Sequence, residues 1–357
     1  MKITDVYTSK AIASVYNEVS SNAIPYLGLG LFPARKKASL DLKWIKTSKG
    51  LPVSLMPSAF DTVSTIRSRE GFKMQETEMA FFKESMLVKE KDEQDIMRVQ
   101  EAADPFAQEV INRIYDDAQT LIDGADVVPE RMRMQLLSAV DGTPKISIAA
   151  DNATYEYNYD PDGTYKTDNY VKLLGNAVWS DTENSDPISD VMNAQDAVES
   201  KTGTKPSIMI VSKKTMGYLK KNAKIKSYIL AQNQTANVLI TDARVKEIFD
   251  TELGVTIVVY AKQYKDEKGV TQKFYPDGMA TLIPNGALGN TWYGMTPDER
   301  SLTQGGTIDT TLVNTGVSVT VSQTVDPVQT KTTVSEIVLP SFERMDETYQ
   351  INCYTEG

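Results

Sequence analysis

The chain has 357 residues, of which 41% are hydrophobic and 24% charged, the composition of a folded protein long enough for more than one core. It has no histidine and one cysteine, Cys353, which excludes intrachain disulfides, Cys/His zinc sites and Ser-His-Asp triads. The start of the chain has no signal-peptide pattern, and no stretch approaches the ~18 apolar residues of a membrane helix. We therefore expect an intracellular protein with no membrane contact.

The charge is unevenly distributed. The 38 Lys+Arg and 48 Asp+Glu give a net charge of −10, which argues against a protein that neutralises nucleic-acid phosphates over its surface. Residues 1–50 carry eight basic and three acidic side chains, net +5, so the remainder carries −15. A basic arm lying on the acidic body of another copy would explain this distribution. A solvated basic terminus explains it equally well.

Residues 1–40 show little sustained periodicity, and "YLGLGLFPARKK" places glycine, proline and a basic triplet in a row. This pattern predicts an extended, anchored arm. From Ser39 to Val88 the pattern changes to alternation with turn residues between the alternating segments, which predicts a long two-stranded excursion. The excursion has too few large apolar residues for a core of its own. We expect it to need a partner surface. The part from about Thr47 to Met86 is expected to serve assembly and to contribute little to the fold of the body.

Two amphipathic helices are expected next. Asp104-Pro105 begins the first, and an apolar stripe at helical spacing follows it as far as Gly124. The stripe comprises Phe106, Val110, Ile111, Ile114, Ala118, Leu121 and Ile122. The second helix is expected to begin near Pro129 and to stop at Gly142. Its stripe comprises Met132, Leu136, Leu137 and Val140.

The segment "TYEYNYDPDGTYKTD" predicts a tyrosine-rich hairpin that turns at residues 161–163. Asp160, Asp162 and Asp168 are close enough in sequence to suggest calcium. The glycine is misplaced for an EF-hand loop, however, and no bidentate glutamate closes it. No metal site is predicted.

From Ser185 helices and strands alternate. Asp186-Pro187 begins a helix that Gly203 ends, and the buried strand "SIMIV" and a helix capped by Ser212 follow. Thr241 begins a further helix that Gly254 ends, ahead of a second buried strand, "VTIVVY". A hairpin around Lys268-Gly269 and several C-terminal strands complete the pattern.

The segment "KPSIMIVSKKTMGYLKKN" has the strand–turn–helix order of many phosphate-binding sites. Residues 206–213 contain no glycine, so the backbone cradle of a P-loop cannot form. Ser212 is explained as an N-cap, and Lys213 and Lys214 are expected on the exposed side of the first turn. No catalytic residue, cofactor-binding residue or cofactor is predicted.

The order of basic arm, long β excursion, long helix, α/β body and C-terminal strands resembles the major capsid proteins of tailed phages with the Hong Kong 97-like fold. The lambda-type capsid E family is the best match. The resemblance rests above all on "GVTIVVYAKQYKDEKGVTQKFYPDGMATLIPNGALGNTWYG" (254–294). Further matches are "TIRSREG" (65–71) before "MLVKEKDEQDI" in the loop, and "DDAQTLI" and "MQLLSAVDG" in the helical region. The last is "IMIVSKKTMGYLKKNAKIKSYI" (208–229). The resemblance runs from about Ser39 to the end. The break at 124–129 and the polar insert "LTQGGTIDTTLVNTG" depart from the family pattern.

The resemblance implies an α+β fold with four parts. These are an N-terminal arm (1–38), an extended β-hairpin loop (39–90), a discontinuous peripheral domain with the long helix (91–167 and 300–357), and an axial α/β domain (168–299). Axial domains of this family meet at the centre of hexamers and pentamers, while arm and loop reach over neighbouring subunits. Such a protein self-assembles into an icosahedral head around double-stranded DNA.

The residues expected to contact neighbouring subunits lie in the arm and the loop. They are Arg35, Lys36, Lys37, Arg67, Arg69, Glu70, Phe81 and Phe82.

The expected partners are further copies of the chain, a separate scaffolding protein, a portal and, as a further candidate, a decoration protein. Packaged DNA is expected to be contacted weakly and without sequence preference. The expected location is the virion, after assembly in the cytoplasm of the host bacterium. Two alternatives are a cytosolic α/β enzyme that uses carboxylate or lysine chemistry and another self-assembling phage protein, such as a tail component.

Overall fold

The structure is a computed structural model. It describes residues 8–20, 25–45, 74–88, 90, 94, 106–150, 153–232, 240–303, 309–325 and 328–354. The helices are α1 (Ser9–Ser20), α2 (Leu27–Leu31), α3 (Phe106–Leu137), α4 (Thr164–Asp168), α5 (Pro187–Thr202), α6 (Lys213–Lys221), α7 (Ala223–Gln232), α8 (Asp242–Leu253) and α9 (Pro297–Thr303). Short 3-10 turns lie at Gly175–Ala177 and Met345–Glu347.

The strands account for most of the rest of the described chain. They are β1 (Ala34–Lys36), β2 (Asp41–Ile45), β3 (Met74–Glu78), β4 (Ala80–Val88), β5 (Lys145–Ala150), β6 (Ala153–Asn158), β7 (Tyr170–Lys172), β8 (Ile208–Val211), β9 (Thr256–Val259), β10 (Gln263–Lys265), β11 (Thr271–Lys273), β12 (Met279–Ile283), β13 (Asn290–Tyr293), β14 (Asp309–Val313), β15 (Val317–Val325), β16 (Val328–Ser341) and β17 (Tyr349–Asn352).

The chain forms two compact units. The first unit comprises residues 1–43, 76–131 and 290–341, and the second comprises residues 44–75, 132–289 and 342–357. The two units are defined by contacts within one chain. They do not test the predicted boundaries of the peripheral and axial domains, which stay predictions.

The first unit is built on a six-stranded sheet in the order β1-β13-β16-β15-β14, with β4 also paired to β16. Helix α1 and the middle of α3, from Ala118 to Ala125, pack on this sheet through valines of β14, β15 and β16. Ile122 on α3 and Val319 on β15 are fully buried in this core. Burial of a continuous apolar face on both helices and strands is what stabilises the unit.

The second unit contains a mixed five-stranded sheet in the order β7-β17-β12-β8-β9. Its core joins alternate residues of these strands to the apolar faces of α5, α6, α7 and α8. The alternation places one set of side chains under the helices, and Met209 and Val211 of β8 belong to that set. The unit is therefore a helical layer on a sheet.

The predicted ends of the helices in the second unit are confirmed. The Asp186 side chain accepts a hydrogen bond from the Ser189 N–H at the start of α5, and Gly203 ends that helix in the left-handed conformation. Ser212 caps α6. Thr241 caps α8, which Gly254 ends at a φ of 65°. These signals are local, so sequence alone reveals them.

The two predicted helices at residues 106–142 are one helix, so the expected break at 124–129 is wrong. α3 runs from Phe106 to Leu137 with Pro129 inside it. Proline removes one backbone hydrogen bond at a cost of ~3 kcal/mol. Pro129 and Glu130 are buried, and the Glu130 carboxylate accepts a hydrogen bond of 3.0 Å from the Gly28 N–H. Tertiary contacts thus hold the helix together across the proline.

The predicted stripes of this helix are confirmed where the structure describes them. Ala118, Leu121 and Ile122 are buried, as are Met132, Leu136 and Leu137. The prediction for Val140 is wrong, because the helix ends at Leu137 and Val140 is exposed. The side chains from Phe106 to Ile114 lie outside the described residues.

The N-terminal segment is helical, so the prediction that all of residues 1–40 form an extended arm is wrong. Ile12 and Tyr16 of α1 are one helical turn apart and both are buried in the core of the first unit. The Ser9 hydroxyl donates a hydrogen bond of 2.7 Å to Asp309 on β14. A pair of apolar residues at this spacing was the available sequence signal, but it is too short to be decisive.

The tyrosine-rich segment turns where expected but pairs differently. Residues 161–163 form a turn, and Gly163 has a φ of 70°. β6 lies before this turn and pairs with β5, whereas α4 follows it, so the predicted hairpin at this turn is wrong. The Asp160 carboxylate accepts hydrogen bonds from the Tyr165 and Lys166 N–H groups, which explains an aspartate here without calcium.

The last part of the predicted excursion belongs to the body. β4 pairs with β16 over nine residues in antiparallel register, from Val338–Ala80 to Thr330–Val88. Both Ala80 and Val88 are buried. The expectation that the excursion contributes little to the fold of the body is therefore wrong for β4. Residues 46–73 of the excursion lie outside the described residues.

Candidate inter-subunit surfaces

The basic triplet of the arm lies at the end of a paired strand. β1 runs parallel to β13, with Arg35 opposite Trp292 and Lys36 opposite Tyr293. The Lys37 N–H continues the ladder with a hydrogen bond of 2.8 Å to the Tyr293 carbonyl. Pairing on β13 fixes the backbone and so the direction in which each side chain of the triplet points.

All three basic side chains have partners in their own chain. Arg35 Nε donates to Asn290 Oδ1 at 3.3 Å, Lys36 Nζ lies 2.6 Å from Glu299 Oε1, and Lys37 Nζ donates to the Asp41 carbonyl at 2.8 Å. Glu299 is buried and the Lys36 side chain is partly exposed. A buried carboxylate needs such a partner. Part of the positive charge of the arm is therefore already neutralised in the protomer.

A second ion pair joins Lys83 of β4 to Asp298, the residue before Glu299. Lys83 Nζ is 3.0 Å from Asp298 Oδ2, and the Ser335 hydroxyl donates to the same oxygen at 2.7 Å. Asp298 and Glu299 are consecutive residues at the start of α9, where acidic side chains are favoured by the helix dipole. Two lysines from separate strands, Lys36 and Lys83, thus tie β1 and β4 to α9.

β4 exposes apolar side chains along its length. Phe81, Met86 and Leu87 are 37%, 38% and 47% exposed, and Phe82 is half-buried opposite Glu336 of β16. Among the described residues β16 is the one strand that pairs with β4, so within this part of the chain β4 is an edge strand. A strand that exposes several large apolar side chains is a surface on which another chain can pack. The sequence prediction named Phe81 and Phe82 as contact candidates but did not name Met86 and Leu87.

The remaining predicted contacts cannot be placed. Arg67, Arg69 and Glu70 lie outside the described residues. These three residues, like the arm triplet and the two phenylalanines, stay predictions as inter-subunit contacts.

The N-terminal helix is fixed to α3 by a polar contact as well as by its apolar face. The Tyr16 hydroxyl donates to an Asp126 oxygen, and Asn314 donates to the same hydroxyl at 3.2 Å. Burial first, and then the hydrogen bond to Asp126, raise the pKa of the Tyr16 phenol well above its ordinary value. The phenol therefore stays protonated and remains a donor at any physiological pH.

The strand–turn–helix at Ser212 is explained by helix capping. The Ser212 hydroxyl accepts from the Thr215 N–H at 3.1 Å, and both Lys213 and Lys214 are exposed. Cys353 is buried, and burial raises the pKa of its thiol far above its ordinary value. Within the described ranges no cluster of His, Cys, Asp and Glu could hold a metal ion, and none of the helices there is long and apolar enough to cross a membrane.

Comparison with solved structures gives the fold. The putative capsid protein of a prophage of Escherichia coli CFT073 has a TM-score of 0.59 and 14% identity, covering 98% of this chain and 99% of that one. A phage-related protein from Bordetella bronchiseptica RB50 has a TM-score of 0.53 and 15% identity, covering 96% of both chains. The capsid of cyanophage A-1(L) has a TM-score of 0.50 and 15% identity, covering 93% of both. The fold is that of the Hong Kong 97-like phage capsid proteins.

Sequence comparison gives the family. No curated protein matches the chain. The family model described as phage major capsid protein E matches residues 8–352. This match covers nearly the whole chain and agrees with both the fold and the resemblance found in the sequence. The chain therefore belongs to the phage major capsid protein E family, and it is a structural protein that builds the shell of the virion.

Proposed function

We propose that copies of this chain form hexamers and pentamers that close into an icosahedral head around double-stranded DNA, and that assembly takes place in the cytoplasm of the host bacterium. In this proposal a separate scaffolding protein directs assembly, a portal occupies one vertex, and a decoration protein is a further candidate partner. DNA is contacted weakly, because the net charge of −10 opposes tight adhesion to phosphates.

The observation that carries this proposal is the apolar surface of the edge strand β4. Exposed clusters of large apolar side chains mark surfaces that pack on another protein. The side chains of Phe81, Met86 and Leu87 would be covered if a neighbouring subunit lay against this strand. In a closed shell the same contact recurs between every pair of neighbours, so a weak contact is multiplied many times.

The experiment changes one exposed apolar side chain on each face of β4 without touching its backbone pairing. We expect Met86→Ser/Leu87→Ser to leave the circular dichroism spectrum and the melt of the protomer close to wild type, because both side chains are already exposed. Electron microscopy should show no shells under conditions in which wild type assembles. Leu174→Ser is a matched control, because Leu174 is 65% exposed and lies on the second unit, away from β4 in sequence.

A second variant tests the loop before β4. A short Gly/Ser linker in place of residues 46–73 keeps β2, β3 and β4 in the chain. We expect a cooperative melt and no shells. Shells from either variant at wild-type yield would contradict the role that we propose for this edge and this loop.

A further inference from the structure

The strongest concentration of positive charge in the described chain lies on α6 and α7. Residues 213–232 contain six lysines and no acidic residue, although the whole chain has a net charge of −10. The lysines are Lys213, Lys214, Lys220, Lys221, Lys224 and Lys226, and all but the half-buried Lys220 are exposed. We call the exposed lysines of these two helices the basic face.

The protomer neutralises part of this face. Lys220 Nζ lies 2.7 Å from Asp242 of α8, and Lys224 Nζ lies 2.6 Å from Asp186 at the start of α5. Lys214 lies over the ring of Tyr354, 4.7 Å from its centre. Within the described residues Lys213, Lys221 and Lys226 have no acidic partner in salt-bridge range, so the basic face is only partly compensated.

The opposite charge lies on the other two helices of the same layer. Asp196 and Glu199 of α5 and Asp250 and Glu252 of α8 are all exposed. None of the four has an ion-pair partner among the described residues. The two helices meet near these residues, because Gln195 Nε2 of α5 donates to the carbonyl of Leu253, the last residue of α8, at 3.2 Å. We call these four carboxylates the acidic edge.

The acidic edge lies where a positively charged group from outside the protomer would stabilise the carboxylates. Glu199 lies in the last turn of α5 and Asp250 in the last turn of α8, each four residues before the terminal glycine. The C-terminus of a helix carries partial negative charge, which disfavours further anions there. Lys201 of α5 is already engaged with Asp168 at 2.8 Å, and Lys246 of α8 is half-buried. A cation from outside the protomer would lower the energy of this edge.

From this charge complementarity we infer that the basic face of one copy docks on the acidic edge of a second copy, head to tail. The two surfaces are different patches of one chain, and a repeated contact between unlike patches generates a ring when the rotation closes. The inference rests on the proposed capsomers, and it names a contact that would join neighbouring subunits within them.

Charge reversal tests each surface separately. We expect Lys221→Glu/Lys226→Glu, and separately Glu199→Lys/Asp250→Lys, to raise the protein concentration needed for assembly by about tenfold or more, because repulsion replaces attraction at every contact around the ring. The control is Lys172→Glu/Lys205→Glu, which changes the net charge equally at two exposed lysines outside the basic face. The control should assemble near the wild-type concentration, and all variants should melt close to wild type.

Combining the reversals gives a sharper test. A chain with all four substitutions has both surfaces inverted and should assemble again on its own. A mixture of the two double variants should form contacts only between unlike chains, so it should yield rings with an even number of subunits and no pentamers. Electron microscopy with native mass spectrometry of capsomers would count the subunits.

Three results would overturn the inference. The first is that both double variants assemble at the wild-type concentration. The second is that the fourfold variant folds but does not regain assembly. The third is normal assembly of Lys221→Glu/Lys226→Glu together with weaker retention of DNA, which would assign the lysines to packaged DNA. Failure of the proposed function itself would appear differently, as wild type that forms no shells under any condition tested.

Discussion

The core of the first unit gives a quantitative prediction at Ile122. This side chain of α3 is fully buried among residues of α1, α3, β14, β15 and β16. Replacement by alanine removes about three methylene equivalents at ~0.8 kcal/mol each, or ~2.4 kcal/mol of transfer free energy. A residual cavity on the order of 50 Å³ would add ~1 kcal/mol at ~24 cal/mol per Å³. We therefore expect Ile122→Ala to lower the free energy of unfolding by ~3–4 kcal/mol.

The assay is urea unfolding followed by circular dichroism, using unassembled protein. A loss of stability at unchanged slope moves the midpoint by the loss divided by the slope, so the shift should be large. Asp117→Ala is the matched control, since Asp117 is exposed on the same helix, and it should change the free energy of unfolding by no more than ~0.5 kcal/mol. Equal midpoints for Ile122→Ala and wild type would refute the assignment of this face to the core.

Three further predictions concern a pair of glycines, one helix cap and the single cysteine. Gly316→Ala should lower the free energy of unfolding by ~1–3 kcal/mol in the same urea assay, because a Cβ there would lie 2.4 Å from Tyr293. Gly124 on α3 has open space around it, so Gly124→Ala should raise the free energy of unfolding by ~0.5–1 kcal/mol. Ser212→Ala removes the cap of α6 and should cost ~1 kcal/mol, while Ser212→Thr keeps a capping hydroxyl and should retain most of the stability. Equal losses would show that the cap is not the reason. The buried thiol of Cys353 should react with Ellman's reagent only after denaturation, and rapid reaction in native protein would contradict its burial.

Local signals account for the part of the fold that sequence predicts well. The caps at Asp186, Ser212 and Thr241 and the left-handed glycines at 203 and 254 each act within a few residues. The strands between them are short apolar runs that need no distant information. Most helices and strands from α5 to β9 could therefore be predicted from the sequence.

Several of the failures involve contacts between residues far apart in the chain. On local grounds one helix should end at Gly124 and another begin near Pro129, yet the helix is continuous, and Glu130 beside the proline accepts a hydrogen bond from Gly28, 102 residues away. β1 pairs with β13 across more than 250 residues, and no local pattern encodes such a pairing. Tertiary packing overrides propensity at these positions.

The candidate surfaces also combine features that the local sequence predicts with features that depend on distant contacts. Alternation in the sequence predicts a strand at Phe81 and Phe82, which is confirmed by β4, whereas their role as inter-subunit contacts stays a prediction. Charge counting gave the first fifty residues a net charge of +5, but it could not show that Lys36 is paired with Glu299. The uncompensated lysines on α6 and α7 became evident only when ion pairs could be assigned within the protomer.

The most direct test of the account is electron microscopy of the purified chain, alone and with a scaffolding protein, across a range of ionic strength. We predict closed shells with rings of six and five subunits. Their yield should fall as salt rises, because the charged contacts between copies are screened over ~8–10 Å at 0.1–0.15 M salt. Protein that stays monomeric in every condition, or that forms only open tubes or fibres, would contradict the claim that this chain builds a closed capsid.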